Sequence, residues 1–501
     1  MMRVRRRMKK LYLMMGVILM VCGFGTGLAE DVHQPVQIGN ELPEDYPLAA
    51  SYKAEGENNP LYTQRFGADP GVMEYKGRLY VYMTNDVLER NADMTVKENS
   101  YAMIKSISCI SSDDLVNWTD HGLIPAAGKT GIAKWAGNSW APCAAHKVID
   151  GEERFFLYFC NGGNGIAVLT SSSPTGPWED PLGKLLIDRS VPNCADVVWL
   201  FDPAVMVDED GTGYLAFGGG VPEGKQAAPG TGRIVRLAED MIHLDGEPVR
   251  MDIPWLFEDS GINRIGDQYI YSYCSNWQTK GNSLHLTDGA IQYMTASDPL
   301  GPYTYAGELF PNEGRFFGLY GNNHHAIVTL NGKTYLFYHN RPVEKAMGIT
   351  GNYRSPQINE ITIREDGTLE QVTGTMQGVE QLKPLDPYTL VSACTMANQA
   401  AIQYSEVSGN PGVYGKTGSW TKIAGVDFGG GTKSLMVRAK SPDGGNLYMI
   451  TDSLEGTVCA MVSVEKGAAT ADYTVPLQLS GVKDVYFVFD GAIAFEAWQA
   501  E

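Results

Sequence analysis

The chain has few basic residues for its length. Its 39 Lys and Arg stand against 58 Asp and Glu, for a formal charge of −19. That balance excludes a protein that holds nucleic acid through phosphate contacts. Cysteine is sparse as well. Eight occur in 501 residues, no two of them spaced as Cys-x-x-Cys, which argues against a zinc site and a dense disulfide framework. Cys109, Cys143, Cys160, Cys194, Cys274, Cys394 and Cys459 read mostly as small buried apolar residues. Long apolar runs are absent except for Leu11 to about Val21, which is short for a membrane span. Arg3, Arg5, Arg6, Arg7, Lys9 and Lys10 precede that run, and Gly27-Leu28-Ala29 follows it. This order predicts a secretory signal peptide over residues 1–29 and a secreted product with no other membrane segment. Removing the six basic residues takes the net charge to about −25, which suits a soluble protein acting on a neutral polymer. Cys22, after Leu19-Met20-Val21, is a poor site for lipid attachment.

Glycine and tyrosine are plentiful, at 57 and 26 residues, and favour a turn-rich β chain. One pattern recurs five times: a short apolar strand, a turn, then a strand of Tyr, Phe and aliphatic residues. The copies occupy residues 69–83, 141–159, 202–217, 258–273 and 324–339. Their turns are Lys76-Gly77, Asp150-Gly151, Asp210-Gly211, Ile265-Gly266 and Asn331-Gly332, and glycine-centred pairs of this kind are the strongest short-range hairpin signal. The turn glycines lie 74, 60, 55 and 66 residues apart. The repeat predicts an all-β fold, a five-bladed β-propeller with long loops over residues 30–382. Lys383-Pro384-Leu385-Asp386-Pro387 reads as a linker. Short strands alternating with Gly-rich turns over residues 388–501 predict a small β-sandwich.

In a propeller the first strand of each repeat runs along the central axis, so equivalent positions on those strands converge. Counted back from the turn glycine, Asp69, Asp202, Glu258 and His324 hold the same position in four copies, and Ala141 holds it in the other. Three acids near one axis repel one another and lose hydration, which is poor design for stability. Glycoside hydrolysis uses such a group. One carboxylic acid protonates the departing oxygen while a carboxylate activates water on the opposite face.

The ordered set Ala68-Asp69-Pro70, Phe201-Asp202-Pro203 with Asp208-Glu209-Asp210-Gly211, and Phe257-Glu258-Asp259-Ser260-Gly261 resembles glycoside hydrolase family 43, over about residues 55–380. The resemblance implies an inverting glycosidase with Asp69 as general base, Glu258 as general acid and Asp202 raising the pKa of the acid. It places Trp140, in Trp140-Ala141-Pro142, in a sugar pocket and Arg354, in Asn352-Tyr353-Arg354, on the sugar. Trp199, Phe201, Trp277 and Phe317 are further aromatic candidates for the cleft. It also implies a metal, commonly calcium, near His324 in the axial channel, met largely through water because calcium prefers oxygen ligands.

Residues 388–501 resemble a family 6 carbohydrate-binding module through Gly418-Ser419-Trp420, Gly425-Val426-Asp427-Phe428-Gly429, the run Val482–Phe489 and Trp498. That family has calcium ligands where this chain has Cys394 and either Glu496 or Ala497, which argues against a structural calcium there. Tyr414 and Tyr473 are the aromatics left for a sugar cleft. Together the two resemblances imply an exo-acting α-L-arabinofuranosidase on arabinoxylan, working as a monomer. A β-xylosidase, an endo-arabinanase and a propeller that only binds polysaccharide stay open. A fructan-processing enzyme is disfavoured, because Ala68 stands where an Asn is expected.

Overall fold

Two-residue turns build several of the sheets. Tyr75 pairs with Arg78, Ile149 with Glu152 and Leu330 with Lys333, which leaves Lys76-Gly77, Asp150-Gly151 and Asn331-Gly332 as the turns. Both residues of each pair have positive φ. That geometry matches the twist of the flanking strands. Ile265 pairs with Gln268, so the fourth turn is Gly266-Asp267, one residue later than its spacing suggests.

The computed structural model describes residues 36–407 and 409–501, and the expected signal peptide and Cys22 lie outside them. Residues Gln37–Glu501 form one compact unit. The architecture is all-β, with two short helices among the described residues, Gly314–Phe317 and Pro342–Ala346.

Residues 68–361 form five consecutive antiparallel sheets. The first holds β1 (Ala68–Tyr75), β2 (Arg78–Thr84), β3 (Ile107–Ser112) and β4 (Trp118–Ile124). The second holds β5 (Trp140–Ile149), β6 (Glu152–Cys160) and β7 (Ile166–Ser171). The third holds β8 (Ala204–Val207), β9 (Gly213–Phe217), β10 (Gly232–Arg236) and β11 (Val249–Met251). The fourth holds β12 (Leu256–Ile265), β13 (Gln268–Ser275), β14 (Ile291–Ala296) and β15 (Thr304–Phe310). The fifth holds β16 (His325–Leu330), β17 (Lys333–Asn340) and β18 (Ser355–Ile361).

Alternation along the strands explains how these sheets pack. Phe155, Leu157 and Phe159 of β6 bury against the first sheet, while Phe156 and Tyr158 bury against the third. Every sheet is apolar on both faces in this way. One apolar cluster fills each gap between consecutive sheets, and Val81 and Trp118 meet Val328 and Phe337 to close the series from fifth to first. The inner strands touch in the cyclic order β1, β5, β8, β12, β16 and back to β1.

Residues 391–500 form two further antiparallel sheets of six and five strands. They share a core that includes Val437, Ala439, Leu447, Met449, Phe487 and Trp498. The short strand Thr395–Met396 instead pairs with β4, as the fifth strand of the first sheet. The segment before β1 also bridges the two regions. Val458 donates to Asn40, Trp420 Nε1 donates to the Ala49 carbonyl, and Asn59 Nδ2 donates to the Ile358 carbonyl.

Candidate functional site

Three inner strands begin with a β-bulge. The register slips between Ala68 and Gly71, between Trp140 and Cys143, and between Glu258 and Gly261. The residue inside each bulge is left-handed: Asp69 at φ 49°, Ala141 at 41° and Asp259 at 67°. Asp202, just ahead of β8, matches them at 49°. Bulges of this kind bend a strand and re-aim a side chain, and they concentrate beside active sites. The pairing also corrects the repeat register. Asp259, not Glu258, is the counterpart of Asp69 and Asp202. Glu258 lies opposite Cys274 as Ala68 lies opposite Thr84. Counting from the turn glycine missed this because the fourth turn begins one residue later.

The structure gathers Asp69, Asp202, Glu258, His324, Arg354, Trp140 and Phe201 around one small cavity, with Thr84, Tyr101 and Asn322 also in its wall. Trp277 is not among them. It lies 39 % exposed beside a neighbouring cleft, whose wall also holds Phe257 and Gln278. Trp199 packs edge-on against Phe201 and Phe257, each ring centre 5.2 Å away, and so supports the rim between the two. Phe317 packs against Tyr338 and the core between the fourth and fifth sheets.

Asp69 is held on every side. Arg354 Nη1 donates to Asp69 Oδ1 at 2.9 Å and Thr84 Oγ1 donates to Oδ2 at 2.7 Å. Burial pushes this carboxyl up, but Arg354, His324, His339 and the Thr84 hydrogen bond outweigh burial and hold it at about 2. Arg354 is itself clamped by Asp86, with Nε at 2.9 Å from Oδ2 and Nη2 at 2.8 Å from Oδ1. Its guanidinium lies 4.9 Å from the centre of the Tyr101 ring. The Asp69 backbone N–H donates to His339 Nδ1 at 3.0 Å, and His339 Nε2 donates to the Asn322 carbonyl at 2.9 Å. This is the neutral tautomer, and burial lowers the pKa of His339 to about 3.

Asp202 and Glu258 behave oppositely. Burial, with the nearby charges of Asp69 and Asp259, pushes Asp202 up to about 7 despite the favourable charge of His324. Burial also pushes Glu258 well above the carboxylate range, and Asp202, Asp69 and Asp259 add to the effect. Glu258 Oε1 is buried with no hydrogen-bond partner. Near neutral pH the pair therefore retains a proton, and it sits on Glu258.

Asp259 is fully buried and pairs with the His325 imidazole, while His324 Nε2 lies 3.2 Å from Asp259 Oδ1. Asp69, Asp202 and Asp259 raise the pKa of His324 against the effect of burial. Among the described residues no three His, Cys, Asp or Glu side chains are disposed to hold a metal.

Asp86, His339, Tyr101 and Asp259 escaped the sequence reading. His339 and Asp259 sit inside repeat copies, but nothing local marks either as more than a strand residue. Asp86 lies two residues beyond β2, and a charged residue just past the end of an apolar strand was its one weak signal.

Comparison with known proteins supplies a second line. The family described as "Glycosyl hydrolases family 43" matches residues 57–369. The arabinoxylan arabinofuranohydrolase of Paenibacillus polymyxa is 42% identical over 90% of this chain and 75% of its own length. The enzyme of that name from Bacillus subtilis (strain 168) is 42% identical over 89% of this chain and 92% of its own. A crystal structure of a family 43 arabinoxylan arabinofuranohydrolase from Bacillus subtilis, in complex with cellotetraose, superposes with a TM-score of 0.88 at 40% identity, covering 90% of this chain and 99% of that one.

Proposed function

Because the chain belongs to glycosyl hydrolase family 43 and is therefore a glycoside hydrolase, we propose that it removes single α-L-arabinofuranosyl units from arabinoxylan with inversion. The observation that carries this reading is the carboxyl set in one cavity: Asp69 ionised, Glu258 protonated with Oε1 unpaired, and Asp202 between them in charge. The names of the two 42%-identical relatives support the choice of sugar and polymer. The cavity measures about 120 Å³, well under the roughly 300–1,000 Å³ of pockets that enclose larger ligands. That size favours one terminal sugar over a run of them, and so exo action.

In the proposed reaction a water attacks the anomeric carbon as the bond to the departing xylan oxygen breaks. Asp69 takes the proton from the water, and Glu258 gives its proton to the leaving oxygen. A carboxylate held near 2 is a weak base. It works late, as bond formation to the oxocarbenium-like centre makes the water acidic. Asp202 keeps Glu258 protonated by like-charge repulsion. Arg354 fixes Asp69 and borders the sugar, Trp140 and Phe201 line its faces, and Trp277 is placed to meet the polymer beyond the cavity.

The same reading takes the five sheets as the blades of a β-propeller, supported by the five apolar clusters that close in a ring. It takes residues 388–501 as a β-sandwich derived from a family 6 carbohydrate-binding module, with a weakened site. Cys394 is fully buried and Glu496 is engaged by Asn410 and Arg438, which leaves neither free for calcium. Secretion through residues 1–29, a monomeric state and a hydrated calcium ion beside His324 complete the proposal. Calorimetric titration of chelator-treated protein with calcium decides the last.

The leaving group separates acid from base. Protonation matters most for a poor leaving group such as a xylan hydroxyl, and general-acid assistance is worth about 10²–10⁴-fold. Glu258→Ala is expected to cripple arabinoxylan hydrolysis while sparing much of the activity on a nitrophenyl arabinofuranoside. Asp69→Ala is expected to damage both. The measurement is kcat/KM on both substrates with identification of the released sugar. Equal losses for Glu258→Ala, with leaving-group sensitivity in Asp69→Ala instead, reverse the roles, and release of xylose alone points to the β-xylosidase reading.

A further inference from the structure

The ends of the second strands carry a set of buried acceptors that the reaction above does not use. Thr84 closes β2, Cys160 closes β6, and Cys274 and His339 lie one residue from the ends of β13 and β17. All four are buried. Three of them accept a backbone N–H from the start of the next sheet. Ala141 donates to Thr84 Oγ1 at 2.8 Å, Asp202 to Cys160 Sγ at 2.9 Å, and Asp69 to His339 Nδ1 at 3.0 Å. The third sheet has no such side chain at the equivalent point. There the Asp202 carboxylate takes the role, and Asp259 donates to its Oδ2 at 2.9 Å. The four bonds join the sheets first to second, second to third, third to fourth and fifth to first.

The donors explain why these bonds matter. Ala141, Asp202, Asp259 and Asp69 are the four left-handed residues at the heads of the first four inner strands. Such a conformation persists only where its surroundings over-determine it. The fifth sheet differs. There the inner pair β16–β17 has no bulge and His324 no left-handed φ.

We infer that Cys160 is a positioning residue for the reaction: its sulfur, by accepting the Asp202 N–H, holds the bulge-like kink that aims the Asp202 carboxylate. The thiol also lies 3.9 Å from Asp202 Oδ1, so backbone and carboxylate of the same residue are both held from β6. Thr84 has the same function one sheet earlier, where it accepts from Ala141 and donates to Asp69. The inference rests on the proposed role of Asp202.

The test compares Cys160→Ala, Cys160→Ser and Asp202→Asn on arabinoxylan, with circular dichroism and Tm for each. Alanine removes the acceptor, and serine restores one. Cys160→Ala is expected to lower kcat roughly 10- to 100-fold, the scale of a small misplacement at a reacting centre. KM is expected to stay within about twofold, because the sugar's own contacts remain. Cys160→Ser is expected to recover most of the lost turnover. Wild-type kcat in folded Cys160→Ala beside an inactive Asp202→Asn overturns this inference alone, as does folded Cys160→Ser no better than Cys160→Ala. Wild-type turnover in Asp202→Asn overturns the reading of Asp202 and this inference with it. If Cys160→Ala does not fold, Thr84→Val against Thr84→Ser makes the same comparison. Equal kcat in those two overturns the inter-sheet bonds as a positioning device.

Discussion

Asp202 and Glu258 hold protons at a pH where the same side chains in an unfolded chain have lost them. Both carboxyls are raised, Asp202 to about 7 and Glu258 further. For a raised acid the stabilising protonated state is fully present below the unfolded value, near 4, and is lost as pH rises through the folded value. Between about pH 4 and 7, and beyond for Glu258, stability therefore falls as pH rises. Asp69 has the opposite sign. Its depressed pKa of about 2 contributes stability above about pH 4 that disappears as pH falls toward 2. Replacing Glu258 by the neutral isostere Gln removes the cost of placing a charge there. Glu258→Gln is expected to raise Tm by roughly 1–5 °C at pH 8 and by less at pH 5, while abolishing arabinoxylan turnover. Thermal unfolding of both proteins at the two pH values checks this. A lower Tm at pH 8 would show that Glu258 is stabilised by contacts other than those described. The residue sets a limit on reading by sequence as well. Asp69, Asp202 and Glu258 could be picked out because each begins an apolar strand in a repeat. Asp86 could not, since its meaning comes from Arg354, 268 residues away.

At the level of the strand, the bulges and close inner packing that aim these groups leave little room for change. Gly71 follows the first bulge, and a Cβ there would lie 2.0 Å from the Pro142 carbonyl oxygen. That oxygen belongs to β5, so relief requires the first two sheets to part. Gly77, in the outer turn, has φ 78° and open space around it. Gly71→Ala is expected to cost about 1–3 kcal/mol or more through overpacking, and to lower kcat because Asp69 is two residues away. Gly77→Ala is expected to cost about 1 kcal/mol through backbone strain alone, with kcat unchanged. Chemical denaturation and kcat for the two variants make the comparison. Equal stability loss with full activity in Gly71→Ala would mean that the inner strands tolerate separation. The repeat made the hairpins legible, because a two-residue turn is specified by residues beside it. It did not reveal the bulges. A bulge shows only as one extra residue against a partner strand, and the register cannot be counted until the partner is known.

Across the whole molecule, the terminal regions do not hang from a linker. The strand Thr395–Met396 extends the first sheet, Asp120 donates to the Cys394 carbonyl, and Asn117 exchanges hydrogen bonds with Ala424. Gln399 Nε2 donates to Thr63 Oγ1 at 2.7 Å. Yet every residue lining the carboxyl cavity lies at or before Arg354. Deleting residues 388–501 is therefore expected to lower Tm and soluble yield, by stripping a strand and exposing the packed face. The folded fraction is expected to keep kcat/KM on a nitrophenyl arabinofuranoside within about threefold, since no transition-state contact is removed. Active-site titration combined with kinetics on the truncated protein measures this. A folded truncation with much lower turnover would show that the C-terminal sheets hold the cavity in shape.

Apart from Arg354, which only the resemblance to family 43 implied, the sequence by itself determined the repeating sheets, the positions of the turns to within a residue, and the identity of three acids that meet. Those features rest on short-range rules: strand alternation, turn glycines and a carboxylate at the head of an apolar strand. Only the tertiary structure decided what those acids are. Asp69 is ionised because Arg354 and His324 arrive from more than 250 residues away. Glu258 is protonated because burial and three other carboxyls surround it. Asp202 is left-handed with its N–H on the sulfur of Cys160, where β6 ends. Charge state depends on distance in space and on exclusion of water, and neither is written in the spacing of residues along the chain.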